Sequence, residues 1–156
     1  MMENADMTHE PTGLSRRLLL TAAAAGLALP AIARAQEGFA MRLRFLFADQ
    51  DFTATLEDNP SSRDLVSMLP LDLTIEDYST NEKIAYLPRK LTEEGGGPFG
   101  DEAPGDLCYY APWGNLALFH AAYRWSRGLI RLGRLDGGPA PLLVRGEYPL
   151  HIERLA

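Results

Sequence analysis

Apolar and polar residues alternate along most of the chain from residue 41 onward, which is the pattern of half-buried β-strands. Leu43, Phe45 and Phe47 fall on one face with arginines between them, and a second alternating run follows a short polar turn. Together the two runs predict a β-hairpin over 43–57. Similar alternation predicts further strands at 71–76, 83–87, 106–111, 115–121, 129–135 and 148–154.

One stretch, "DNPSSRDLVSMLP", has the signals of a helix instead. Asn59 can cap its first turn, Pro60 suits its first position, and Pro70 ends it. Helical spacing places its buried stripe at Leu65, Met68 and Leu69. About eight short strands with one short helix predict an all-β protein, either a closed antiparallel barrel or a closed sandwich. The sequence shows no internal repeat, so we expect one folded domain.

The first 35 residues have the pattern of an export signal. The pair Arg16-Arg17 precedes an Ala- and Leu-rich run that carries no charge before Arg34 and is short for a membrane span. Adjacent arginines in this position are similar to the twin-arginine signal of bacteria. The alternative is an amphipathic N-terminal helix, although residues 22–26 offer no polar face.

Cleavage after Ala35 would divide the chain into a signal peptide (1–35), a short linker (36–40) and a barrel domain (41–156). The mature protein is then expected in the periplasm or outside the bacterial cell. During export the precursor is expected to bind the twin-arginine export machinery, and no stable membrane insertion is expected after cleavage.

Charge and cysteine content narrow the possible partners. The chain has 15 Lys and Arg against 21 Asp and Glu, a formal net charge of −6. Nucleic acid is therefore not expected as a partner, because its phosphates require a basic surface. Cys108 is the only cysteine, which rules out an intramolecular disulfide, and its position in a strand predicts a buried thiol. We expect a monomer or a weak dimer.

Aromatic residues gather around a Pro-Trp-Gly bend in "DLCYYAPWGNLALFH", residues 106–120. Tyr110 and Trp113 can supply flat apolar walls for a ligand, and Asn115 can supply an amide that orients it. The alternative is that Trp113 plugs the barrel end and Asn115 caps the turn. Tyr109 and Tyr110 point to opposite faces of their strand, so only one of them can line a pocket.

Residues outside the Pro-Trp-Gly bend are further candidates for the binding site or for a metal site. Tyr78 and Arg89 flank the third and fourth strands and are further ligand-binding candidates, with surface hydrogen bonding as the alternative. The glycine-rich loop at 93–105 runs into the aromatic strand, so we expect it over the same end of the barrel as Trp113. His151 and Glu153 share a strand face without a third ligand at metal-site spacing, so neither a metal nor a cofactor is expected.

Four blocks occur in order between residues 41 and 155: "DNPSSRDLVSMLPLDLTIEDY", "EKIAYLPRKL", "PGDLCYYAPWGNLALF" and "GLIRLGRLDGG". On these blocks the sequence resembles the small bacterial cyclophilin-like proteins. The resemblance implies a closed β-barrel of about eight strands with little helix. Met41 falls where cytosolic members would begin, so a second translation start at Met41, giving a cytosolic form, remains an alternative. True cyclophilins are prolyl cis/trans isomerases with an arginine in a Phe-His-Arg stretch; this sequence lacks that stretch, so no catalytic residue is carried over.

The function that follows is an exported cyclophilin-like binding module for a small molecule or an extended peptide. The alternative is a slow peptidyl-prolyl isomerase acting on envelope proteins, for which the missing Phe-His-Arg stretch predicts weak or absent turnover of proline peptides. A third interpretation is a protein that binds a partner through its outer strand faces. That would require an extended exposed apolar patch, and the outward strand positions here are polar, among them Asp72, Thr74, Glu76, Glu147 and Glu153.

Overall fold

The computed structural model describes residues 41–156, and the predicted signal peptide and linker lie outside the described residues. Eight strands follow one another with one α-helix and one short 3₁₀ turn between them. Their bounds are β1 Arg42–Phe47, β2 Gln50–Leu56, α1 Pro60–Val66, β3 Leu71–Tyr78, β4 Glu82–Tyr86, β5 Asp106–Tyr110, β6 Asn115–Phe119, β7 Leu129–Leu135, the 3₁₀ turn Ala140–Leu143 and β8 Tyr148–Arg154.

The strands form a closed barrel in the order β1-β2-β7-β5-β6-β4-β3-β8, and every neighbouring pair is antiparallel. The predicted all-β barrel of about eight strands with one short helix is therefore confirmed, and the sandwich is not the architecture. Closure leaves none of these strands with an unpaired edge. Any ligand must consequently meet side chains on a face or at an end of the barrel.

The wall formed by β4, β6, β5 and β7 is apolar on both faces. Leu116 and Leu118 of β6 join the main core inside the barrel, whereas the alternate residues Ala117 and Phe119 belong to a separate cluster outside it. All five residues of β6 are buried as a result. Because successive side chains of a strand point to opposite faces, the second cluster means that another structural layer covers this wall from outside.

Helix α1 begins as the sequence predicts. Asn59 is its N-cap and accepts a hydrogen bond from the Ser62 backbone N–H at 2.9 Å, and Pro60 is its first residue. Leu65 is fully buried in the main core. The helix ends at Val66, earlier than expected, so the half-buried pair Met68 and Leu69 packs on the core from the following turn instead of from the helix.

Barrel closure depends on a close approach between β2 and β7. Their ladder pairs Ala54 with Leu135, Thr55 with Arg134 and Leu56 with Gly133. A Cβ atom at Gly133 would stand 2.2 Å from the Thr55 carbonyl oxygen. Only glycine permits this spacing, so the contact sets how closely the two strands can pair.

A buried carboxylate lies under the outer cluster. Asp106, the first residue of β5, is 0% exposed and accepts hydrogen bonds from the Tyr123 hydroxyl at 2.6 Å and from Arg134 Nε at 2.8 Å. The Ala103 backbone N–H donates a third at 3.0 Å. Arg131 Nη1 is 3.8 Å away. This network holds the 123–126 segment, through Tyr123, against the outer wall.

No helix within residues 41–156 is long and apolar enough to cross a membrane.

Candidate functional site

A cavity of about 370 Å³ lies on the outer face of the wall formed by β4, β6, β5 and β7. Its floor is built from Ile84, Ala117 and Leu129, which are the outward residues of three of these strands. The volume lies within the roughly 300–1,000 Å³ that small-molecule sites occupy. We call it the outer-face cavity, and its other boundaries include the side chains of Tyr78, Glu82, Tyr110, Trp113, Asn115 and Arg124.

The Pro-Trp-Gly bend between β5 and β6 places the tryptophan. The Gly114 N–H bonds to the Tyr110 carbonyl at 2.9 Å, which closes a tight turn, and Gly114 has the positive φ of +73° that this turn requires. Trp113 therefore projects beside Tyr110. Its side chain is 46% exposed, so it forms a wall of the cavity and does not plug the barrel.

Two tyrosines pack against this tryptophan. The Tyr78 ring centroid lies 5.2 Å from that of Trp113 and the Tyr110 centroid lies 5.5 Å from it, both in edge-to-face geometry. Such pairs hold aromatic rings in fixed orientations. The three rings come from the end of β3, the end of β5 and the following bend, and they form one side of the cavity.

Asn115 supplies a buried amide at the base of these rings. The residue is 1% exposed, and its Nδ2 donates to the Leu116 carbonyl oxygen at 2.9 Å. Its Oδ1 atom has no hydrogen-bond partner in the part of the chain that the structure describes. Buried amide oxygens are nearly always paired in folded proteins, so a free one at a cavity indicates a place where a donor is missing.

Glu82 supplies a carboxyl to the cavity beside Tyr78, its cross-strand partner in β3. Burial raises the pKa of its carboxyl to about 7, far above its ordinary value of 4.5. Within residues 41–156, Glu82 makes no hydrogen bond through its carboxyl and no ion pair. Arg124 also lines the cavity, but it is exposed to solvent, and its charge interacts with that of Glu102.

Phe119 and Tyr123 close the remaining side. Their rings stack with centroids 3.6 Å apart, and the Tyr123 hydroxyl bonds to the buried Asp106. Burial and this bond raise the pKa of Tyr123 above its ordinary value. Cys108 lies behind this stack with its sulfur 3.6 Å from the Tyr123 hydroxyl, and burial raises the thiol pKa to about 12. It is the buried thiol that the sequence predicted, and as a thiol it is a poor nucleophile at neutral pH.

The structure brings four of the five predicted site residues together: Tyr78, Tyr110, Trp113 and Asn115 all border the outer-face cavity. Arg89 lies elsewhere, with its guanidinium bonded to Asp64 of α1 at 2.8 Å. Tyr109 is fully buried in the core, and Tyr110 faces the cavity, as their alternation requires.

The aromatics Tyr110 and Trp113 are partly exposed at the end of the barrel where β5 joins β6, as predicted, but they border its outer wall and not its mouth. The expectation for the glycine-rich loop was wrong. The loop at 93–105 does not line the cavity; it lies against β7, where Asp101 pairs with Arg131 at 2.8 Å and the Phe99 ring lies 4.8 Å from the same guanidinium. The Glu102 carboxylate of this loop accepts a hydrogen bond from the Trp125 backbone N–H at 2.8 Å, so the loop also contacts the 123–126 segment.

Sequence reasoning missed Glu82 and Arg124. The strand register would have indicated Glu82. Glu82 of β4 pairs with Phe119 of β6 and lies on the same strand face as Ile84. That register becomes visible only once the two strands are known to be neighbours. For Arg124, in an irregular segment, no sequence signal was available.

A second depression, bordered by Phe47, Leu73 and Tyr148, has a similar volume of about 390 Å³. Its polar groups are already paired, since His151 Nδ1 lies 2.7 Å from an Asp72 oxygen. The outer-face cavity is therefore the better candidate, since it alone of the two borders a buried polar atom that lacks a partner within residues 41–156. No group of three or more His, Cys, Asp or Glu side chains in the same described range could hold a metal ion.

Comparison with known proteins supports the fold. A model of the Cyclophilin-like family matches residues 45–153. The solution structure of a hypothetical protein from Archaeoglobus fulgidus superposes with a TM-score of 0.54 at 18% identity, covering 77% of this chain and 98% of that one. At this identity the likeness concerns the fold alone. No curated protein matches the chain.

Proposed function

Since the chain belongs to the Cyclophilin-like family, we propose that it is a binding module that holds a small molecule or an extended peptide in the outer-face cavity. The observation that carries the proposal is the Asn115 amide oxygen, which is buried beside three aromatic rings and has no hydrogen-bond donor within the described residues. A bound ligand would supply that donor.

The composition of the cavity supports the same proposal. Ligand sites are mostly apolar with a few polar groups that fix orientation. Here Ile84, Ala117, Phe119 and Leu129 provide the apolar surface, and the polar groups stand around it. An extended peptide would have to bind through its side chains or single main-chain groups, because a closed barrel offers no strand edge for it to extend.

Replacing Trp113 with Ala is expected to weaken binding at least about tenfold while costing only about 1 kcal/mol of folding free energy. The small cost follows from the 46% exposure of the side chain, because emptying a fully buried aromatic site costs about 3–5 kcal/mol. Backbone-amide NMR of the labelled protein, titrated with a panel of planar fragments and short extended peptides, measures the affinity. Urea unfolding measures the stability.

Tyr86→Ala is the matched control. Tyr86 is an exposed aromatic of β4 at 52% exposure, and it does not border the outer-face cavity. It should leave affinity unchanged. The proposal fails if no probe perturbs the amides of Asn115, Ala117 and Phe119, or if Trp113→Ala and Tyr86→Ala change binding equally.

The isomerase alternative gains no support from the geometry. The Arg89 guanidinium is already bonded to Asp64 and Ser67, and Arg89 does not border the cavity. We therefore keep binding, without a chemical step, as the proposed function.

Export through the twin-arginine route to the periplasm or the medium is part of the same proposal. It rests on the Arg16-Arg17 pair and the uncharged run that follows. N-terminal sequencing of the mature protein is expected to read from Gln36, and a protein that retains residues 1–35 in the cytoplasm would contradict it.

A further inference from the structure

We propose that the outer-face cavity selects cations that carry N–H donors, such as ammonium or amidinium groups. This inference rests on the proposed function, because it names the chemical class of the ligand for the same site. The observation behind it is that two acceptors border the cavity without a hydrogen-bond partner in the described chain: the buried Asn115 amide oxygen and the half-buried Glu82 carboxyl.

Glu82 supplies the negative charge. The residue is half-buried, and within the described chain its carboxyl has no counter-ion. Partial burial makes an unpaired carboxylate less stable than a fully solvated one, and a cationic ligand that pairs with it offsets that cost. The half-buried carboxyl and the amide oxygen border the same cavity, so a ligand with several N–H groups can bond to both.

The aromatic side of the cavity favours the same class of ligand. Tyr78, Tyr110 and Trp113 are held against one another by edge-to-face contacts, and the faces of such rings attract cations. A planar amidinium can lie against a ring while its N–H groups point to the acceptors. A neutral ligand of the same shape would gain only the apolar part of this interaction.

None of the charged neighbours of Glu82 within residues 41–156 forms an ion pair with it. Lys83, the next residue of β4, points to the other face and pairs with Asp77 at 2.9 Å. Arg124 borders the cavity and opposes a cation, but its charge is exposed and therefore screened by solvent and salt. Burial and the nearby Arg145 and Lys83 charges lower the pKa of His120 from its ordinary value. Burial raises the pKa of Tyr123, so its hydroxyl stays neutral at physiological pH.

The test uses three planar probes of nearly the same shape, benzamidine, benzamide and benzoate, with the full 156-residue chain. Backbone-amide NMR titration should show benzamidine binding at the cavity at least about tenfold more tightly than benzamide, and benzoate more weakly still. Benzamidine affinity should fall about tenfold from roughly pH 8 to pH 6, because the Glu82 carboxyl takes up a proton in that interval and loses its charge. Benzamide affinity should not change with pH.

Glu82→Gln should remove both the preference for benzamidine and its pH dependence while preserving the shape of the side chain. His120→Gln is the matched control and should preserve both. Equal binding of all three probes at the cavity, weakened by Trp113→Ala, would overturn the cation selectivity and leave the binding module intact. If neither these probes nor the wider fragment panel perturbs the cavity amides, the binding module itself fails. A pH dependence that survives Glu82→Gln would also overturn the assignment of the charge to Glu82.

Discussion

Replacing Gly133 with Ala is expected to lower the free energy of unfolding by about 3 kcal/mol. The added methyl group would meet the Thr55 carbonyl oxygen at 2.2 Å and the Leu56 Cα atom at 2.8 Å. Both are backbone atoms, so no side-chain rotation can relieve the contact. The strands β2 and β7 would have to separate where their short ladder closes this side of the barrel.

Gly137→Ala is the matched control for this prediction. A Cβ atom there meets nothing within 4 Å, so stability should change by no more than about 0.5 kcal/mol. Urea unfolding followed by tryptophan fluorescence compares the two variants. Equal midpoints would show that the β2–β7 spacing adapts freely and that the close approach at Gly133 does not limit closure.

Replacing Asp106 with Ala is expected to cost about 3–5 kcal/mol, the range for removing one partner of a buried charged network. The buried carboxylate accepts from the Tyr123 hydroxyl, from Arg134 Nε and from the Ala103 N–H. Without it, the Tyr123 hydroxyl loses its acceptor and the 123–126 segment loses its anchor to β5. The loss of Tyr123 from its place should also shift the NMR signals of Phe119, on which its ring stacks.

Asp101→Ala is the control that separates the effect of burial on stability from the effect of charge pairing. Asp101 bonds the same two arginines, Arg131 and Arg134, but its side chain is 63% exposed. Exposed ion pairs contribute at most about 1 kcal/mol, so this variant should remain close to the parent in stability. Comparable losses for Asp101→Ala and Asp106→Ala would show that the arginine pairing, and not the buried position, carries the stability.

Most of the fold could be predicted from the sequence because each strand is marked by local alternation. The strands β7 and β8 begin and end where the pattern predicts, at 129–135 and 148–154. The helix start was also predictable, since Asn59 and Pro60 are local signals. Its end was not, because Met68 and Leu69 keep a helical spacing and yet reach the core from a turn.

The candidate site was partly predictable for a related reason. Tyr110, Trp113 and Asn115 lie within six residues of one another, so a single turn assembles them. Glu82 joins them only through the pairing of β4 with β6, which no local pattern reveals. The choice between the mouth and the outer wall of the barrel also depended on strand order, because β6 is apolar on both faces and its sequence does not show which face is inside.

The place of β8 in the barrel has a consequence for the timing of folding during synthesis. This strand, the last one described, pairs with both β1 and β3. Both of those strands emerge from the ribosome long before β8 does. Until β8 arrives, the nascent chain presents two open strand edges, which are the surfaces through which incomplete β proteins associate. The barrel is therefore completed in one late event, and a chain interrupted before Tyr148 would lack the strand that joins its two ends.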